Sequence, residues 1–198
     1  MKTRYLIDMK TRYLILIFFT VTASCKNTIV KQSQVTTSWN NRLKSELPLL
    51  GHRNWILVVD KAFPLQTSSG LEVINTDERL ENVLKIVLED INATSHIKPI
   101  IFMDKELDFI TEDQVKGIHD YRAKMMRLLN NQCPNKILHD SVFVKIDAAS
   151  KLFKIVVLKT NQTIPYSSVF FQLDCAYWSP AKEKKLRENM MFTVYGKQ

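Results

Sequence analysis

Trp55-Ile-Leu-Val-Val59 is a run without a polar member, and no other stretch restricts the fold of this chain so tightly. Side chains alternate between the two faces of a strand, so a run that is apolar at every position is buried on both. Such a strand sits at the centre of a sheet with helices packed above and below it. Helical periodicity supplies the second constraint. Leu80, Val83, Leu84, Val87, Leu88 and Ile91 recur at the spacing of one helix face, an unbroken apolar stripe. Asn75 with Glu78 three places later offers a capping-box-like start for that helix.

The rest of the chain continues the alternation. Residues 39–47 read as a short helix stopped by Pro48. Residues 72–74 form a short strand, and 97–103 a second central strand with Pro99 at its beginning. Val115, Ile118, Arg122, Met125, Met126 and Leu129 mark another long helix, with the two methionines as core filling. Residues 141–146 and 154–159 read as strands with a short helix over 148–153 between them, and 169–173 as the last strand. These elements predict one α/β domain over residues 39–178, a three-layer α/β/α arrangement around a largely parallel sheet. An apolar content of 45% is what such a globular domain needs. Neither GxGxxG nor GxxxxGK[ST] occurs, so nucleotide use is not expected.

The ends of the chain differ from its middle. Residues 1–24 combine Lys10 and Arg12 with an apolar stretch from Tyr13 to Thr22, the pattern of an export signal peptide too short for a comfortable membrane span. Val21-Thr22-Ala23-Ser24-Cys25 follows. Small residues before a cysteine resemble the lipobox of bacterial lipoproteins, which makes Cys25 the expected lipidation site; a plain secretory signal is the alternative. Residues 25–38 are polar and aperiodic, a tether. This organisation places the protein in the cell envelope, held on a membrane through its lipid. Cys133 and Cys175 either pair as a disulfide or sit apart.

The formal charge of +8 is partly the signal's, since Lys2, Arg4, Lys10 and Arg12 face Asp8 alone there. The densest basic run, Lys182, Lys184, Lys185 and Arg187, lies in a tail over residues 179–198 of helical composition. No basic face interleaved with aromatics appears, which argues against a nucleic-acid partner. The scattered histidines and the absent CxxC argue against a metal site.

Leu50-Gly-His52-Arg-Asn-Trp-Ile-Leu-Val-Val-Asp60-Lys-Ala-Phe-Pro64 resembles the opening motif of the ribose pyranase / fucose mutarotase (RbsD/FucU) family. That motif has a Gly-His pair, an apolar strand, an aspartate eight residues after the histidine, and a proline soon after. A second block, from Val156 through Asn161-Gln162 to Tyr166-Ser-Ser168-Val-Phe-Phe, is similar to the family's closing motif. The resemblance spans roughly residues 40–175 and implies an RbsD-like fold, a monosaccharide substrate, no cofactor and a homo-oligomer whose pockets neighbouring subunits complete. It implies His52 as the catalytic acid/base and Asp60, Tyr166 and Ser168 as sugar-binding residues, Ser168 standing where the family has asparagine. A further basic residue belongs to that pocket, and His139 and Lys145 are both candidates. Lys61, after the aspartate, is placed either to contact substrate or to pair with Asp60. The implied activity is isomerisation of a free sugar between anomeric or ring forms. Histidine suits it, since it can give and take a proton near neutral pH. A sugar-binding protein without catalysis is the alternative.

Overall fold

The computed structural model describes residues 38–130 and 132–195. The expected signal peptide, Cys25 and nearly all of the tether lie outside the described residues. In order, the elements are α1 (Trp39–Glu46), β1 (Trp55–Val59), β2 (Leu71–Asn75), α2 (Leu80–Asn92), β3 (Ile97–Asp104), α3 (Ile118–Leu128), β4 (Asn135–Ile137), α4 (His139–Ser150), β5 (Ile155–Lys159), β6 (Val169–Cys175) and α5 (Pro180–Tyr195).

The six strands form one sheet in the order β2-β5-β1-β6-β3-β4. The apolar run of β1 does lie inside it. Trp55–Val59 pairs parallel with Ile155–Lys159 on one side and antiparallel with β6 on the other, and all five residues are buried. β6 also runs antiparallel to β3, so five strands share one direction and β6 opposes them. On one face, side chains of α1, α2 and α3 pack against Ile56, Val58, Val156, Leu158 and Phe171. On the other, Val142 and Ile146 of α4 cover Trp55, Leu57, Val157 and Phe170. The domain is therefore the expected three-layer α/β/α sandwich with a largely parallel sheet. The α2 stripe supplies much of the first core, with Leu80, Val83, Leu84 and Val87 fully buried. Each such side chain contributes roughly 1.5–3 kcal/mol relative to leaving it in water.

Several expectations are corrected. Residues 141–146 are not a strand but the middle of α4, and the helix expected over 148–153 is that helix's last turn and the loop after it. Asn75 ends β2 rather than capping α2, which starts at Leu80; Glu78 instead accepts a 2.7 Å hydrogen bond from the Trp39 indole. The helix marked by Val115 begins at Ile118. Pro99 sits within β3, opposite Leu173. β4 reaches only Phe102–Asp104, so β3 is a sheet edge at Pro99, where a proline is tolerated. Met125 is buried, while Met126 is only partly so. Cys133 and Cys175 are unpaired. The basic tail forms α5, and among the described residues no helix is long and apolar enough to cross a membrane.

Gly70, just before β2, is required by close approach. A Cβ there would stand 2.2 Å from the Ser150 carbonyl oxygen and 2.6 Å from that of Phe153, so the end of α4 and the loop after it press directly on its backbone.

Candidate functional site

The reversed direction of β6 decides what meets at each edge of the sheet. β1 and β3 deliver Asp60 and Asp104 to one edge, β4 leads into His139 there, and β6 begins there after Tyr166 and Ser168. Ligands of open α/β sheets bind at this edge, outside the carboxyl ends of the parallel strands.

Asp60 is held by three hydrogen bonds. The Ser168 hydroxyl donates to its Oδ2 at 2.9 Å, the Ala62 backbone N–H donates to its Oδ1 at 2.9 Å, and the Asp60 backbone N–H donates to Ser168 Oγ at 3.1 Å. The first two fix the carboxylate, whose remaining lone pairs can still accept from a ligand. Asp104 is fully buried, with Oδ2 3.0 Å from Nδ1 of His139 and Oδ1 without a hydrogen-bond partner. Burial, opposed by the His139 contact and reinforced by the charges of Glu106 and Asp60, pushes the Asp104 carboxyl up to about 6. The His139 backbone N–H donates to both oxygens of Glu106, at 3.0 and 3.1 Å, which seats a carboxylate on the first turn of α4. The His139 ring meets Tyr166 edge-on at 5.2 Å and Phe143 at 4.9 Å, and Phe143 stacks on Phe63 at 5.5 Å. Tyr166 has φ of 56°, a conformation uncommon outside glycine, and its ring is 36% exposed. Backbone strain of this kind, about 1–3 kcal/mol, collects where a side chain must be aimed at a ligand.

Of the residues singled out in the sequence, Asp60, His139, Tyr166 and Ser168 share this edge. His52 and Lys145 are not part of the cluster. His52 precedes β1, so the length of that strand, roughly 16 Å at about 3.3 Å per residue, lies between it and Asp60. There its Nδ1 contacts Asp174 Oδ1 at 2.9 Å, and Arg53 Nε donates to its Nε2 at 3.3 Å. This pairing makes Nδ1 the protonated nitrogen and leaves Nε2 as an acceptor. Lys145 holds its ammonium 5.5 Å from the Phe102 ring and lines a separate cleft of about 510 Å³ together with His52, Arg53 and Trp55. Lys61 does not pair with Asp60 but donates to Asn161 Oδ1 at 2.9 Å. Trp55 is core, stacked on Phe102 at 5.5 Å, and the Trp178 indole donates to Glu183.

Asp104 and Glu106 were missed in the sequence. Asp104 carries the same signature as Asp60, a carboxylate directly after an apolar strand, although nothing local ties it to a histidine 35 positions on. Among the described residues no three His, Cys, Asp or Glu side chains are grouped to hold a metal ion. Chemically, the cluster offers a half-buried histidine on a buried carboxylate for proton exchange, a fixed carboxylate for hydroxyl groups, and an aromatic wall.

No protein-family model matches the sequence, and no curated protein matches it. Among solved structures, the chain is similar to Bacillus subtilis RbsD complexed with D-ribose, at 14% identity and a TM-score of 0.49 over 67% of this chain and 91% of that one. It is similar to FucU from Bifidobacterium longum, at 13% identity and a TM-score of 0.48 over 67% and 93%. It is also similar to the fucose mutarotase from Streptococcus pneumoniae in complex with L-fucose, at 13% identity and 0.47 over 67% and 91%.

Proposed function

We propose that this protein binds a free monosaccharide at the Asp60–Asp104–His139–Tyr166–Ser168 cluster and interconverts its anomeric or ring forms by histidine acid/base catalysis. The observation that carries the reading is the His139–Asp104 pair, in which burial raises the Asp104 carboxyl to about 6. A pair poised there holds an exchangeable proton close to neutral pH. Ring opening removes the proton from the anomeric hydroxyl, forms the carbonyl, breaks the bond to the ring oxygen and returns a proton to that oxygen. Reclosure on the other face, or through another hydroxyl, reverses each transfer, so protons balance and no redox step occurs. Asp60 accepts hydrogen bonds from sugar hydroxyls, and Tyr166, edge-on to His139, offers the sugar an aromatic surface.

His52 enters in the manner that the two motifs imply, from a neighbouring copy in a homo-oligomer. Its Nδ1–H rests on Asp174, and the sugar would replace Arg53 as the partner of Nε2. Export, lipidation of Cys25 and residence in the cell envelope complete the proposal and rest on the N-terminal sequence alone. The alternative, sugar binding without catalysis, is favoured by Ser168, whose hydroxyl is already given to Asp60 at 2.9 Å.

Magnetization-exchange NMR on a panel of reducing sugars tests the reading. Wild-type protein should speed exchange for at least one sugar, and His139→Ala or His52→Ala should each cut the gain by about 10²–10⁴-fold, the usual worth of acid/base assistance. Exchange no faster with wild type than in buffer would remove the catalytic reading. Saturation of a sugar's signals under the same conditions would leave the binding one.

A further inference from the structure

We infer that the cleft lined by His52, Arg53, Trp55, Lys145, Phe153 and Gln172 is a binding site for a small organic anion bearing a phosphate or carboxylate group. It lies on the α4 face of the sheet, at the edge opposite the Asp60 cluster, and shares only His52 with the function proposed above. It exists in a single copy of the chain, so it stands without that function.

The cleft has a volume of about 510 Å³, and none of its lining residues is an aspartate or glutamate. Ligand sites of this kind combine an apolar surface with a few convergent polar groups. The Lys145 ammonium lies 5.5 Å from the Phe102 ring, and the Arg53 guanidinium lies 5.9 Å from the Phe153 ring. Aromatic faces hold a cation without neutralising it. No ion pair joins Arg53 or Lys145 to a carboxylate among the described residues, whereas Lys98, Lys124, Lys136 and Lys154 each reach one. Two cations left unneutralised at one concave surface attract an anion.

Backbone geometry points the same way. Arg53 has φ of 74° in the tight turn that the Asn54 N–H closes on the Gly51 carbonyl. Glycine or asparagine is the usual residue there, so the arginine is kept at a conformational cost. Its fork matches the paired oxygens of a phosphate or carboxylate, and Lys145 adds a point charge. Phe153 gives the cleft an aromatic lining over the buried Trp55, Ala148 and Ala149 leave room above it, and Gln172 supplies an amide. A bare inorganic ion would leave that lining uncovered, which is why the ligand has an organic body.

Calorimetry on the full chain, with ribose 5-phosphate, glucuronate, ribose and inorganic phosphate as probes, decides the matter without any measurement of sugar exchange. At least one of the two organic anions should bind, more weakly as salt is raised, because the attraction between partly exposed charges is screened. Arg53→Gly, which suits the turn, and Lys145→Ala should each weaken binding about tenfold, the worth of one charge-assisted contact. Ala148→Trp, at an exposed helix position, should block the cleft. The inference is overturned if neither organic anion binds, if Arg53→Gly and Lys145→Ala weaken ribose binding as much as that of ribose 5-phosphate, or if both charge variants bind the anions as wild type does. Inorganic phosphate binding as tightly as ribose 5-phosphate would overturn the organic body.

Discussion

Asp104 is where the stability and the proposed chemistry of this protein oppose one another. Its carboxyl is raised from 3.8 to about 6 in the folded protein, chiefly by burial. The native state thus holds a proton that the unfolded chain releases earlier. Stability from this group is complete below about pH 4 and is lost as pH rises through about 6. Asp104→Asn keeps the shape and removes the buried charge. It should raise stability at pH 7 by up to about 3 kcal/mol, less whatever the bond to His139 contributes. It should also flatten the fall of stability between pH 4 and 6. Urea unfolding at pH 4.5 and pH 7 measures both, and an unchanged pH slope would show that Asp104 does not carry the effect. The same variant should slow sugar exchange, because an amide cannot stabilise the imidazolium that forms when His139 takes a proton.

At the scale of elements, α4 teaches the most. Its sequence Ser141-Val-Phe-Val-Lys-Ile146 is rich in β-branched and aromatic residues, which is why it reads as a strand. Burial reveals the helix: Val142, Ile146 and Ser150 are buried at four-residue spacing, while Val144 is 69% exposed. Val144→Ala should therefore stabilise the domain slightly, by about 0.5 kcal/mol of helix propensity. Ile146→Ala should cost about 2–5 kcal/mol through the cavity it leaves. Thermal or chemical unfolding of the two variants separates the readings, since a paired strand would be weakened by Val144→Ala. Its first residue is His139 and its second turn carries Lys145, so one element reaches both edges of the sheet.

For the molecule as a whole, the separation of His52 from the Asp60 cluster determines the outcome of subunit mixing. Assembly in which each pocket takes His139 from one copy and His52 from the next is a heterologous contact. Inactive His52→Ala and His139→Ala proteins, mixed in equal amounts and allowed to exchange subunits, should then regain about a quarter of wild-type exchange, since half the copies carry each intact residue. No recovery, with mixed assemblies demonstrated by mass spectrometry, would mean that both histidines act within one chain or that His52 takes no part.

The class of the fold was legible in the chain, because burial on both faces forces the composition of β1 and β5 and a one-sided helix forces the stripe of α2. Motif spacing, a property of the chain, also singled out Asp60, Tyr166 and Ser168 as candidates. That β6 opposes the other strands, and with it which residues share an edge, emerged only from long-range pairing. Strand direction depends on how a loop crosses the sheet, and no local pattern records it. That direction brings Tyr166 and Ser168 beside Asp60 and sends Asp174 to His52. His139 and Lys145 are parted at the same level. Both lie on α4, but only the first residue of the helix stands at the carboxyl edge of the sheet, where the buried Asp104 meets it.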